Sequence, residues 1–153
     1  MKHIKCYDLL LEPINTGYDS ISNFKLEGPE SLVDLVNEVF KLRRSNREKS
    51  IVAGFNASGY LTGLHQVSSG HVTSTSVSPD QLFKFLLLTN STSFILLHNH
   101  PSGSDRPSKD DEFATARIIQ CGRLMNIQML DHIIVTNKAF TSLKRETAVF
   151  DVT

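Results

Sequence analysis

Apolar positions Leu32, Leu35, Val36, Val39 and Phe40 recur at helical spacing, which predicts an amphipathic helix over residues 29 to about 42 with a proline in its first turn. Two strand-like stretches follow at 51–55 and 60–67, and the polar, glycine-containing Asn56-Ala57-Ser58-Gly59 between them suits a hairpin. Ser78-Pro79-Asp80-Gln81 announces a second helix over 79 to about 89, apolar around most of its circumference and so expected to wedge against a sheet. Ser93-Phe94-Ile95-Leu96-Leu97 reads as a buried strand. Pro101, Gly103 and Pro107 then interrupt regular structure, and Ser108-Lys109-Asp110-Asp111-Glu112 reads as the first turn of a helix running to about 124. Segments 128–130, 131–136 and 139–143 read as three strands, the last pair turning at Asn137-Lys138. Ahead of all this, 4–10 and 20–26 are strand-like around Pro13 and Gly17, with no legible role. Strands and helices in this order imply an α/β fold, a mixed sheet flanked by helices.

The chemistry concentrates in residues 98–111. His98 and His100 extend the apolar run, and residues two apart on a strand share a face, so both rings can reach one ion. The loop that follows would swing Asp111 back toward them. Two histidines and a carboxylate with a fourth position left for water are a usual catalytic zinc design, whereas structural sites are closed by four protein ligands. Plainer readings exist for each piece. A histidine at a strand end commonly just satisfies its hydrogen bonds. Ser108-x-x-Asp111 is a helix-capping pattern, and Pro101-Ser102-Gly103 is by itself a turn. Only the combination is specific.

That combination, His-x-His, seven residues, Ser, two residues, Asp, resembles without gaps the JAMM motif of the JAB/MPN metalloprotease superfamily. More narrowly, His98-Asn99-His100-Pro101-Ser102-Gly103 together with Asp131-His132-Ile133-Ile134-Val135 is similar to the RadC family, and the likeness runs from about residue 29 to residue 143. The resemblance implies the JAB/MPN architecture, related in outline to cytidine deaminases, for residues 28–153, with residues 1–27 left as an N-terminal segment. It implies that His98, His100 and Asp111 ligate Zn2+ and that Ser108 hydrogen-bonds an oxyanion or the water. It also calls for a glutamate just before an upstream strand. Glu48, three residues ahead of the apolar run beginning at Ile51, fits better than Glu12, Glu30 or Glu38, although in Arg47-Glu48-Lys49 it is equally a solvated acid. Zinc lowers the pKa of bound water toward about 7. Glu48 would take the proton and return it to the departing amine. Strand alternation turns Asn99 away from the ion, and Asp131 is expected to support a ligand imidazole.

Composition adds boundaries. With 40% apolar and 21% charged residues in 153, one ordinary globular domain is expected. The longest apolar runs are too short for a bilayer and the N-terminus lacks a signal-peptide core, so a cytoplasmic protein with no membrane partner is expected. Cys6 and Cys121 suggest neither a disulfide framework nor a zinc ribbon, and Cys121 reads as core filler. The 16 basic and 16 acidic residues cancel, which gives no global attraction to nucleic acid. Lys41, Arg43, Arg44, Arg47 and Lys49 form a local cationic group that either complements a helix C-terminus or rims a site for an acidic substrate. The RadC resemblance also brings an indirect association with DNA repair and mobile elements, acting with DNA or a DNA-processing partner. RadC proteins usually carry a helix-hairpin-helix region that is not read in this sequence. In HNH nucleases the three letters are spread along a ββα unit, unlike His98-Asn99-His100. The expected function is a zinc metallohydrolase acting on a peptide or protein substrate. The alternatives are the DNA-associated role and a non-catalytic MPN scaffold.

Overall fold

The computed structural model describes residues 5, 8, 11–14, 23–69 and 77–151. In chain order the elements are α1 (Pro29–Phe40), β1 (Lys49–Phe55), β2 (Leu61–Ser69), α2 (Pro79–Leu88), β3 (Ser93–Asn99), α3 (Lys109–Met125), β4 (Gln128–Val135), β5 (Phe140–Ser142) and a short α4 (Leu143–Glu146), with a 3-10 turn at Leu42–Arg44. The strands form one 5-stranded mixed sheet in the order β2-β1-β3-β4-β5. β3 lies at its centre, antiparallel to β1 and parallel to β4. The architecture is the expected α/β one, a mixed sheet flanked by helices.

Period-two alternation divides the sheet into two apolar faces. On one face, Leu32, Val33 and Val36 of α1 pack with Ile51, Ala53, Ile95, Leu97, Ile133 and Val135. On the other, Leu82, Phe83 and Leu86 of α2 and Ile118 and Ile119 of α3 pack with Val52, Phe94, Leu96 and Met129. Each of these side chains larger than Ala53 contributes about 1.5–3 kcal/mol on burial. α3 is thereby clamped to the second face independently of the loop that precedes it.

Local signals set most boundaries. Asn56 Oδ1 accepts the amide hydrogens of Ser58 and Tyr60, and Gly59 takes φ +81°, closing the β1–β2 hairpin. α1 stops at Phe40, short of the expected 42, because Lys41 turns left-handed and donates its amide to Asn37 O. Leu87, on the outer side of α2, is 51% exposed, so this helix is covered on one side only.

Two sequence expectations change in the β4–β5 region. Segments 128–130 and 131–136 are one strand, β4, kinked by a bulge: Phe94 opposes Met129 but Ile95 opposes Asp131, leaving Leu130 as the extra residue. The 139–143 stretch ends at Ser142, whose hydroxyl oxygen accepts the Arg145 amide and starts α4 at Leu143. Most of the expected strand at 4–10, residues 20–22 of that at 20–26, Cys6 and most of the 68–78 loop lie outside the described residues. Phe24 and Leu26 do pack against the α1-side core, and Lys25 bridges to Tyr60. Among the described residues no helix is long and apolar enough to cross a membrane.

Candidate metal centre

His98 lies near the carboxyl end of central strand β3 and is 7% exposed. His100 is two residues on, its amide still bonded to Val135 O at 3.0 Å, so both rings project from the α2/α3 face. The chain then reverses through Pro101 and Ser102, with Gly103 N bonded to His100 O at 3.0 Å and Gly103 at φ +83°, a conformation that favours glycine. Ser108 caps α3: its hydroxyl oxygen accepts the Asp111 amide at 3.0 Å while Asp111 Oδ2 accepts the Ser108 amide at 2.8 Å. The reciprocal cap turns the Asp111 carboxylate, 2% exposed, toward the histidines.

The three groups meet. His98 Nε2 and His100 Nε2 are 2.9 Å apart, His98 Nε2 is 3.3 Å from Asp111 Oδ1, and His100 Nε2 is 3.5 Å from Asp111 Oδ2. Zinc–nitrogen and zinc–carboxylate bonds of about 2.0–2.1 Å in a tetrahedron separate neighbouring ligand atoms by about 3.3 Å, so this donor set fits a small cation. These residues also form the one group of three or more His, Cys, Asp or Glu side chains with metal-holding spacing among the described residues. Imidazole and carboxylate donors of this kind suit zinc and other small divalent ions.

Electrostatics agree with convergence on a cation. The hydrogen bond that His100 donates to Asp111 raises the pKa of His100 above the ordinary imidazole value against the opposing effect of burial, helped by the Ser104 carbonyl and the negative charge of Glu48. Burial alone would raise the pKa of Asp111, but the neighbouring His100 and His98 rings and the hydrogen bond from the Ser108 amide outweigh it and hold the carboxyl well below the usual carboxylate range. Both shifts favour positive charge where the three groups meet. Glu48 is half-buried immediately before β1. Ser50 opposes His98 across the β1–β3 pair, so Glu48, two residues earlier, falls on the same face as the histidines.

A family model described as a RadC-like JAB domain matches residues 26–148. The chain belongs to this family. A UPF0758 protein of Clostridium beijerinckii is 36% identical over 123 residues, covering 80% of this chain and 53% of the relative. One from Desulforamulus reducens is 39% identical over 116 residues, covering 76% and 50%. One from Clostridium acetobutylicum is 35% identical over 130 residues, covering 85% and 56%. The chain therefore spans about half the length of the curated relatives it matches.

In this RadC-like JAB domain the expected role of Asp131 does not hold. The bulge at Leu130 shifts the alternation of β4 by one residue, placing Asp131 opposite Ile95 on the α1 face and His132 opposite Leu96 on the metal face. Asp131 there accepts hydrogen bonds from Ser142 Oγ at 2.6 Å, His132 N at 2.7 Å and Lys144 N at 3.2 Å, anchoring the start of α4. The imidazole partner is His132, whose Nε2 is 2.8 Å from His98 Nδ1 and whose Nδ1 is 2.6 Å from Thr115 Oγ1. Burial, with the neighbouring His98, pushes the His132 pKa well below the imidazole range. Thr115 follows Asp111 by four residues on α3, a same-face spacing that could have pointed to it. Asn99 does face away, its Oδ1 accepting Lys49 N at 2.7 Å.

The cationic group is partly structural. Lys49 Nζ donates to Phe40 O at 2.9 Å, neutralising the C-terminus of α1, and Arg43 Nη1 donates to Thr136 O at 3.0 Å. Lys41, Arg44 and Arg47 are exposed.

Proposed function

We propose that this RadC-like JAB domain is a zinc-dependent hydrolase of the JAMM type that cleaves a peptide or isopeptide bond in a protein or peptide substrate. The observation that carries the reading is the convergence of His98 Nε2, His100 Nε2 and the Asp111 carboxylate within 2.9–3.5 Å of one another, a three-ligand set of the open, catalytic kind. A zinc ion held there supplies Lewis acidity, acidifying water and polarising a carbonyl.

The chain's own groups account for the remaining roles. Glu48, on the histidines' face and close enough to raise the His100 pKa, takes the proton of the attacking water and returns it to the leaving amine. Ser108 uses its oxygen to accept the Asp111 amide, so its own O–H is available to donate to the oxyanion of the tetrahedral intermediate. Asp111 keeps its charge at neutral pH and holds both rings toward the ion.

The test uses the purified chain with fluorogenic peptide and isopeptide substrates and metal analysis. Stoichiometric zinc, with hydrolysis lost in Glu48→Gln while zinc is retained, is the expected result. Hydrolysis that persists in Glu48→Gln removes Glu48 from the mechanism, and failure of the native chain to hold zinc overturns the reading in favour of a scaffold. Metal-dependent cleavage of plasmid DNA in place of peptide cleavage would redirect it to a nuclease.

A further inference from the structure

We propose that His132, oriented by Thr115, is a positioning residue that fixes the protonation pattern of the His98 ring so that Nε2 presents a bare lone pair to the ion. The proposal rests on the metallohydrolase reading for its purpose, but its hydrogen bonds can be examined in the metal-free protein.

The direction of each bond follows from what its atoms can do. Thr115 Oγ1 is 2.6 Å from the backbone oxygen of Asp111, an atom that can only accept, so the single hydroxyl proton is committed there. Thr115 Oγ1 therefore meets His132 Nδ1, at 2.6 Å, as an acceptor, and His132 carries its proton on Nδ1. The His132 ring is 3% exposed with no carboxylate in hydrogen-bond contact, a setting that favours the neutral ring. Its Nε2 is then a lone pair, and it accepts from His98 Nδ1 at 2.8 Å. With the proton of His98 on Nδ1, Nε2 of that ring is bare where it faces His100 and Asp111.

The relay runs His98 to His132 to Thr115 to the main chain of Asp111. It begins on one ligand and ends on another, crossing β3, β4 and α3. Ligating histidines ordinarily donate their second nitrogen to a carboxylate, carbonyl or water. Here the acceptor is another imidazole, which could equally be turned to donate. The oxygen of Thr115 sets which way it points, against the pull of the Asp111 carboxylate 3.3 Å from His98 Nε2, so removing that oxygen should reverse the chain and put the His98 proton on Nε2, facing that carboxylate.

The experiment uses the 15N-labelled full chain and long-range 1H–15N correlation spectra of its histidines, with zinc affinity measured by chelator competition. In the metal-free native protein His98 is expected as the Nδ1–H form. Thr115→Val, nearly isosteric, should shift His98 toward the Nε2–H form and weaken zinc binding about 10- to 100-fold, while Thr115→Ser should restore both. An Nε2–H form of His98 in the native protein overturns the proposal without need of any variant. So does an unchanged His98 signature in a folded Thr115→Val. Should the native chain bind no zinc, the hydrolase reading fails, while the His98 signature still decides the relay.

Discussion

Replacing Asp111 by asparagine separates the two tasks of that side chain. Its Oδ2 accepts the Ser108 amide at 2.8 Å, and its carboxylate faces His98 Nε2 at 3.3 Å and His100 Nε2 at 3.5 Å. An amide can keep an oxygen toward Ser108 N but then presents an NH2 group, a donor, to the ring nitrogens. The hydroxyl of Ser108 still accepts the backbone amide at position 111. The cap therefore survives, and above the pH range in which His100 is charged the metal-free domain should lose little beyond the charge–dipole contribution of about 0.3–1 kcal/mol. At roughly 2–4 °C per kcal/mol for a chain of this size, that is a Tm change within about 4 °C. Zinc binding should respond far more. Sharing about 10–16 kcal/mol of site affinity among four ligands gives about 3–4 kcal/mol each, or roughly 100- to 1000-fold in Kd. Zinc at a hundred times the native Kd stabilises the native chain by about 2.7 kcal/mol, a rise of about 5–11 °C. Asp111→Asn at the same zinc concentration should show almost none of it. Paired melts with and without zinc, calibrated by chelator competition, read both effects. A native-sized zinc shift in Asp111→Asn would refute the ligand set. A metal-free Tm lowered by more than about 10 °C would show that the charge, not the cap oxygen, holds the start of α3.

Three further outcomes are expected. Ser108→Ala removes the acceptor of the Asp111 amide and should cost about 0.5–2 kcal/mol by chemical denaturation, with turnover falling roughly 100- to 1000-fold if the hydroxyl binds the oxyanion; unchanged turnover would restrict Ser108 to capping. The metal-free domain should be most stable near pH 6.5 as far as His100 and His132 decide it. The raised pKa of His100 means the folded state binds the extra proton, so its contribution is complete below about 6.5 and is lost as pH rises through the folded value. The lowered pKa of His132 means the unfolded state binds the extra proton below about 6.5, so stability falls there by up to about 1.4 kcal/mol per pH unit. Urea melts from pH 5 to 8 that rise steadily with pH would contradict this pairing. Gly54→Ala would drive a Cβ into Ser91 Oγ and set it 2.7 Å from Thr62 Oγ1, costing about 1–3 kcal/mol. Gly54 opposes Phe94, at the far end of β3 from His98, so zinc affinity should not change.

Much of the site was legible because its residues are close in sequence. His98 and His100 are related by strand alternation, and Asp111 and Ser108 by a capping pattern, so local rules place them without knowledge of the fold. The central strand, the hairpin and the three long helices were legible for the same reason. What escaped was set by tertiary register. The extra residue at Leu130 has no distinct signal in the run 128–135, yet it exchanges the faces of Asp131 and His132 and so replaces the expected supporting group by another. Glu48 could be placed before a strand, but its face depends on pairing between β1 and β3, which periodicity within either strand cannot fix. The fate of Arg43 and Lys49 as partners of backbone carbonyls likewise depends on distant segments brought alongside.

The two imidazoles differ in what stands behind them. His98 leans on buried side chains, whereas the rear nitrogen of His100 is 2.8 Å from the carbonyl of Ser104, on a loop whose residues 101–106 are exposed. Such a loop opens at a smaller free-energy cost than packed core elements do. His100 is therefore the finger of the grip that lifts first. Anything bearing on that loop, a docking protein or a protease nick, gains leverage over how quickly an ion is exchanged, and it does so without disturbing the sheet beneath.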